Sequence, residues 1–165
     1  MAASSKKRLA TDTNFPLDLA ARKESALLCW EVLREKGWTV LLPPTAATEL
    51  RLLTRSDDVA TRELALLAIA ELDRWDIQAY SLTDLQETLA ESFSGRLIAA
   101  GLLPTEEWSD GVILGEASAA GLPLLVTSDR HLVHIEVEAL KRTFAEADLD
   151  FTLPIRPRDL SRILR

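Results

Sequence analysis

The chain has 165 residues, of which 47% are apolar and 27% charged, and its formal net charge is −7. This composition supports one hydrophobic core, excludes a disordered chain, and is too short to expect two independent cores. The negative charge repels nucleic acid at long range, so a polyanionic substrate would require local basic groups or a bound cation.

The chain carries no recognisable export or membrane signal. Its basic start is interrupted by Thr11, Asp12 and Asn14 before the apolar stretch that a secretion signal needs. No apolar run reaches the about 18 residues of a membrane span. Cys29 is the single cysteine and its neighbours are apolar, which predicts an inert buried thiol and no disulfide. We therefore expect a cytoplasmic protein.

Apolar runs alternate along the chain with segments in which apolar residues recur at helical spacing. Buried strands are predicted at 8–11, 38–42, 77–81, 124–127 and 149–153. Helices are predicted at 17–36, after a Thr45 cap, at 58–74, 83–100, 110–120 and 136–147, with a helical turn from Asp129 and a basic helix after Pro157. Gly37, Gly101 and Gly121 are predicted to end helices.

This alternation predicts the α/β class. Strands that are apolar on both sides, separated by helices, indicate a parallel sheet of four to five strands with helices on both faces. We expect one domain over residues 1–165, with its core at about 8–153 and a basic helical extension at 154–165. In such sheets the carboxyl ends of the strands meet at one edge, where ligands bind near the point of reversed strand order.

Four acids are predicted to converge at this edge. Asp12 follows the first strand and Asp129 the fourth. Glu49 lies one turn into the helix after the second strand, and Asp110 begins the helix that leads into the fourth. Clustered carboxylates repel one another, and a hard divalent cation relieves that repulsion. Oxygen ligands suit Mg²⁺ or Mn²⁺, whereas zinc prefers His and Cys.

Four stretches carry a resemblance to a known family. They are ATDTN (Asp12, Asn14), TELRLL (Glu49), SDGVILGEA (Asp110) and LLVTSDRHL (Thr127, Ser128, Asp129). In this order they resemble the PIN-domain family of metal-dependent ribonucleases, which includes the VapC-type toxins of bacterial toxin–antitoxin pairs. Ser109 before the third acid, Gly111 and Gly115 in its helix, and the basic extension depart from the pattern.

The resemblance implies a PIN-like fold and an endoribonuclease that hydrolyses RNA phosphodiester bonds. Asp12, Glu49, Asp110 and Asp129 would be catalytic and would bind Mg²⁺ or Mn²⁺. Asn14, Thr127 and Ser128 would support the site. It also implies a homodimer and a partner antitoxin.

Basic and aromatic residues near the predicted site are candidates for RNA binding. Arg51 and Arg55 follow Glu49, Arg130 follows Asp129, and Trp108 lies in a loop where its ring could stack on a base. The arginines of the C-terminal segment are either a solvated helix end or a contact for RNA or a partner.

Each feature also has a simpler interpretation. Asp110 and Asp129 could be helix N-caps, Glu49 an exposed first-turn acid, and Asp12 with Asn14 a turn. His131 and His134 could share a helical face in a zinc site, but no cysteine or third histidine supports one.

Two other functions stay open at this point. One is a catalytically silent PIN-like module whose acidic edge binds a basic partner. The other is a phosphatase or phosphoacceptor domain, which Asn14 and the absence of lysine between Lys36 and Lys141 argue against.

Overall fold

The computed structural model describes residues 7–165, and within them five strands form one fully parallel sheet. The strands are β1 (Arg8–Thr11), β2 (Thr39–Leu42), β3 (Ile77–Ala79), β4 (Leu124–Val126) and β5 (Leu153–Ile155). Their order across the sheet is β3-β2-β1-β4-β5. The predicted α/β class and parallel sheet are confirmed. Residues 1–6, part of the segment weighed as a secretion signal, lie outside the described residues.

Helices connect successive strands and surround the sheet. They are α1 (Asn14–Ala20), α2 (Glu24–Glu35), α3 (Pro44–Leu53), α4 (Val59–Glu71), α5 (Asp84–Ala99), α6 (Trp108–Ala119), α7 (Arg130–Val133), α8 (Val137–Glu146) and α9 (Pro157–Leu164), and a 3₁₀ turn at Thr105–Glu107 precedes α6. Polar caps begin several of them: Asp58 accepts a hydrogen bond from the Thr61 N–H, and Thr83 with Gln86 forms a capping box. In the described part of the chain, none of the helices has the length and apolar character needed to cross a bilayer.

The core lies on both faces of the sheet because the central strands are apolar on both sides. Leu9 and Ala10 of β1 and Leu125 of β4 are fully buried. The rings of Phe93 in α5 and Phe144 in α8 stack with centroids 4.2 Å apart.

Close packing of α5 on α6 explains the two glycines that depart from the family pattern. A Cβ added at Gly115 would lie 2.8 Å from the Cα of Ala90, and one added at Gly111 would lie 2.2 Å from the Oγ of Ser94. A side chain at either position would collide with α5. The close contact between the two helices therefore offsets the low helix propensity of glycine.

The predicted single helix at 17–36 is wrong. The structure divides it into α1 and α2, and Arg22 between them has a φ of 57°. The Lys23 N–H donates to the Asp18 carbonyl and the Lys23 ammonium lies 2.6 Å from the Asp18 carboxylate. These contacts end α1 early. Pro16 lies inside the first turn of α1, where a missing N–H leaves no hydrogen bond unmade.

Several other predicted boundaries also differ. The last strand is Leu153–Ile155 rather than 149–153, because Asp148 ends α8 with a φ of 56° and the chain needs further residues to reach the sheet. Pro154 is tolerated because β5 is an edge strand. Thr45 does not cap α3, whose N-cap is Pro43. Helix α6 begins at Trp108, which places Asp110 in its first turn.

The strand order reverses between β1 and β4. From β1 the chain proceeds outward through β2 to β3, then returns to place β4 on the other side of β1. The Asp12 N–H extends the β1–β4 pairing by donating to the Val126 carbonyl at 3.1 Å. The carboxyl ends of β1 and β4 are therefore the expected ligand-binding position of this sheet.

Candidate metal centre and active site

Asp12 is held rigidly at the end of β1. It is 2% exposed, and its two carboxylate oxygens accept hydrogen bonds from the Phe15 N–H (3.1 Å) and the Thr127 hydroxyl (2.5 Å). Burial raises the pKa of Asp12 to about 7, although both hydrogen bonds oppose that rise. A buried carboxyl that is hydrogen-bonded yet difficult to ionise is typical of a functional site.

Thr127 joins Asp12 to Asp129. While its hydroxyl donates to Asp12, its oxygen accepts from the Asp129 N–H at 3.0 Å. Asp129 is also the N-cap of α7, because its carboxylate accepts from the His131 N–H at 2.7 Å. Asp129 is therefore a helix cap, as the simpler interpretation predicted. It also belongs to an acidic cluster.

That cluster consists of Glu107, Asp110 and Asp129. One carboxylate oxygen from each residue lies within 4.8 Å of the others. Burial raises the pKa of Asp110 to about 9, with further increases from its carboxyl neighbours Glu107 and Asp129. Ligands on opposite sides of an octahedral Mg²⁺ lie about 4.2 Å apart, so the three oxygens would need only small side-chain adjustments to share one hard cation.

Glu49 and Asp12 face the same cleft as Asp110. The cleft has a volume of about 440 Å³ and is lined by Asp12, Thr13, Asn14, Glu49, Leu52, Leu53 and Asp110. The Thr13 hydroxyl donates to Glu49 at 2.5 Å, which ties α3 to the end of β1. Asp110 belongs to both the cleft and the three-acid cluster. The structure therefore brings all four predicted acids to one region, with Asp110 connecting them.

Three residues of this region were missed from sequence. Glu107 is not among the residues predicted above, although it lies one turn before Asp110 in the sequence. Thr13 gave no signal beyond its place beside Asp12. Glu116 is 4% exposed and accepts hydrogen bonds from the Thr45 N–H and hydroxyl. Its signal was an acid within the apolar run GVILGEASA.

The predicted supporting residues occupy different positions. Thr127 is fully buried between two acids, as described above. Asn14 is exposed at the start of α1 and lines the cleft. The exposed Ser128 places its hydroxyl 3.4 Å from the carboxylate of Asp18.

The predicted RNA-binding residues are more scattered. Arg51 is exposed and bonds Thr48, on a face of α3 turned about 200° from Glu49, and Arg55 lies in the exposed turn beyond α3. Leu52 and Leu53, rather than these arginines, line the cleft. The Trp108 ring lies beside Gly95 of α5 and is 43% exposed.

The histidines do not join the acidic cluster of the described residues. Nε2 of His131 lies 3.7 Å from the Glu107 carboxylate, and His134 Nε2 accepts a hydrogen bond from Arg156 at 2.8 Å. The donors of the cluster are all oxygens, which suits Mg²⁺ or Mn²⁺ and not zinc.

The comparisons with known proteins agree with this fold. No protein-family model and no curated protein matches the sequence. A solved structure, described as the crystal structure of VapBC2 from Rickettsia felis bound to a DNA fragment from their promoter, is similar with a TM-score of 0.61. The alignment has 16% sequence identity and covers 90% of this chain and 98% of that chain. At this identity the likeness shows the fold alone, an architecture shared with a chain of VapBC2, and the predicted resemblance is confirmed at the level of the fold.

Proposed function

We propose that the protein is a Mg²⁺- or Mn²⁺-dependent endoribonuclease that hydrolyses RNA phosphodiester bonds. The observation that carries the proposal is the position of the four acids at the strand-order reversal. Asp12, Glu49 and Asp110 line one cleft, and Asp110 also shares the cluster with Asp129. Acids with raised pKa values that converge in a cleft are typical of cation-assisted chemistry.

The residues present fit a hard divalent cation. Glu107, Asp110 and Asp129 would bind it, and Asp12 and Glu49 would face it from the cleft, directly or through water. A bound ion of this kind would neutralise charge on the phosphate and lower the pKa of a nearby water. Thr127 and Thr13 hold the Asp12 and Glu49 carboxylates in fixed orientations through their hydroxyl groups.

The cleavage test uses a panel of labelled single-stranded RNAs with Mn²⁺, with Mg²⁺ and with EDTA. Asp12→Asn and Asp129→Asn are expected to lose at least about 100-fold in rate, and EDTA should abolish cleavage. Asp73→Asn, at an exposed residue beyond α4, is the matched control and should cleave like the unmodified protein. Cleavage that persists in both site variants, or without metal, contradicts the proposal.

A second proposal concerns a partner protein of the antitoxin kind. Apolar side chains are exposed on α3, which lines the cleft, and on its neighbour α4: Leu52 at 60%, Val59 at 53%, Leu66 at 53% and Leu67 at 47%. Exposed apolar side chains grouped on neighbouring helices favour protein contacts. Leu52 also lines the cleft, so an apolar partner segment covering this face would obstruct substrate entry.

We propose that the antitoxin binds this face. The test is co-purification with the product of an adjacent small reading frame, and Leu66→Glu should abolish that co-purification.

The homodimer and the catalytically silent module are tested separately. Light scattering of the purified chain should give the mass of two copies, and a monomer contradicts the dimer. A silent binding module would bind a basic partner without taking up Mn²⁺. Calorimetric Mn²⁺ binding that disappears in Asp110→Asn would therefore exclude it.

We also propose that the protein acts in the cytoplasm. The resemblance supports this compartment, as does a sequence whose single cysteine cannot form an internal disulfide framework. Cys29 is fully buried, and burial raises its pKa to about 12, which makes the thiol unreactive.

A further inference from the structure

A second groove lies next to the acidic cluster. It has a volume of about 410 Å³ and is lined by Leu102, Arg130, His131, His134 and Ile135. Arg130 directly follows Asp129 in the chain, and Nε2 of His131 lies 3.7 Å from the Glu107 carboxylate. The groove therefore adjoins the cluster on the β4–β5 side of the site, whereas Glu49 lies on α3, which follows β2.

Arg156 brings a second guanidinium to the edge of this groove, where it contacts the lining residue His134. It directly follows β5, and because β5 pairs with β4 in parallel, Arg156 and Asp129 emerge at the same edge of the sheet. The Arg156 guanidinium donates a hydrogen bond to Nε2 of His134 at 2.8 Å. Arginine has no acceptor, so Nε2 of His134 is the acceptor in this contact.

The groove combines the two features that a nucleotide requires. Arg130 and Arg156 are permanent cations that suit a phosphate, in a chain whose net charge of −7 repels polyanions elsewhere. The half-buried Leu102 supplies an apolar surface on which a ribose or base can pack, and the 8% exposed Ile135 adds a small part of that surface. Neither guanidinium is within 4.0 Å of a carboxylate in the described residues, so both remain available to a ligand.

We propose that this groove binds a backbone phosphate and the adjoining nucleoside of the RNA strand, on one side of the bond that is cleaved. The inference rests on the proposed ribonuclease function and adds the path of the substrate to it. The strand would lie from the acidic cluster along α7 toward Arg156, with Arg130 nearest the cluster. Arg51, on the far side of α3, and Arg55, in the turn beyond α3, would not contact this part of the strand.

The test measures binding separately from cleavage. Fluorescence anisotropy of a labelled single-stranded RNA is recorded in Ca²⁺ and in EDTA for the full chain, Arg130→Gln, Arg156→Gln and Arg142→Gln. Arg142 is exposed on α8 and outside the groove lining, so the control makes the same change of charge. Each groove variant should bind about 5- to 10-fold more weakly and lower the slope of log K against log salt by about 0.7. The control should do neither.

The outcomes separate this inference from the proposed function. If the unmodified protein cleaves RNA but the groove variants bind it normally, the groove inference is wrong and the nuclease proposal stands. If binding depends on the groove but no RNA is cleaved, the nuclease proposal fails alone. Absence of RNA binding by the unmodified protein overturns the inference. Should Arg156→Gln fail to fold by circular dichroism, because His134 loses its partner, Arg130→Gln decides the question.

Discussion

Glu116 in the third turn of α6 accepts two hydrogen bonds from Thr45 at the start of α3, from the N–H at 3.0 Å and from the hydroxyl at 2.5 Å. Helix α3 carries Glu49 and α6 carries Asp110, so this contact connects the two walls of the cleft. Burial is the main reason that the pKa of the Glu116 carboxyl is raised, and the nearby Glu87 and Glu49 contribute. The buried Glu116 therefore fixes α3 relative to α6, and with them the candidate metal ligands Glu49 and Asp110.

Glu116→Ala is expected to lower the free energy of unfolding by about 1 to 3 kcal/mol, because the Thr45 N–H and hydroxyl lose their acceptor. Glu116→Gln keeps an acceptor oxygen without a buried charge and should lose less. Urea unfolding checks both variants. The control is Glu63→Ala, at an exposed position of α4. Equal losses in Glu63→Ala and Glu116→Ala would show that the contact does not stabilise the fold.

The stability of the metal-free protein should fall as the pH rises. The pKa values of Asp12 and Asp110 are raised from 3.8 to about 7 and about 9 in the folded state. The unfolded chain therefore releases these protons at lower pH than the folded protein does. The free energy of unfolding should fall from pH about 4 to about 7 as Asp12 contributes, and from pH about 4 to about 9 as Asp110 contributes. Urea unfolding in EDTA at several pH values measures this slope.

Asp110→Asn tests the contribution of Asp110 to the pH dependence of stability between pH about 7 and about 9. The variant cannot ionise at position 110, so its free energy of unfolding should be nearly independent of pH between about 7 and about 9, and higher than that of the unmodified protein there. Asp73→Asn, the exposed control, should retain the full slope. A slope in Asp110→Asn that matches the control would mean that Asp110 ionises normally.

Glu107→Gln should weaken Mn²⁺ binding by at least about 10-fold, because it removes one of the three clustered carboxylates. Its neighbour provides a matched control. Glu106→Gln makes the same change at an exposed residue outside the cluster and should leave affinity unchanged. Isothermal titration calorimetry gives both affinities, and equal affinities for the two variants would remove Glu107 from the site.

Thr127→Val removes the hydroxyl that joins Asp12 to Asp129 and should both destabilise the protein by about 1 to 3 kcal/mol and weaken Mn²⁺ binding. The pKa of Asp12 should rise further, since the lost hydrogen bond had lowered it. Thr152→Val is the control, because Thr152 is equally buried and donates to the Leu122 carbonyl. It should lose stability without losing metal affinity, and a parallel loss of affinity would indicate a general structural effect.

The alternation of strands and helices was predictable because it depends on local signals. The apolar run before Asp12 and the one before Asp129 indicate buried strands, and parallel strands deliver the residues after them to one edge. That reasoning was sufficient for the α/β class and for the meeting of Asp12, Asp110 and Asp129. The Arg22 break could not be predicted in this way, since it depends on the Lys23–Asp18 contacts and not on apolar spacing.

Amino-acid sequence alone thus determined the order of the elements and which acids the strands present, because both follow from hydrophobic periodicity. Tertiary structure decided which neighbours complete the site. Glu107 enters the cluster only because α6 begins at Trp108 and α7 presents Asp129 opposite. Thr45 meets Glu116, 71 residues away, only because α3 packs on α6. Such contacts depend on the distance and rotation between packed elements, which no local pattern of residues specifies.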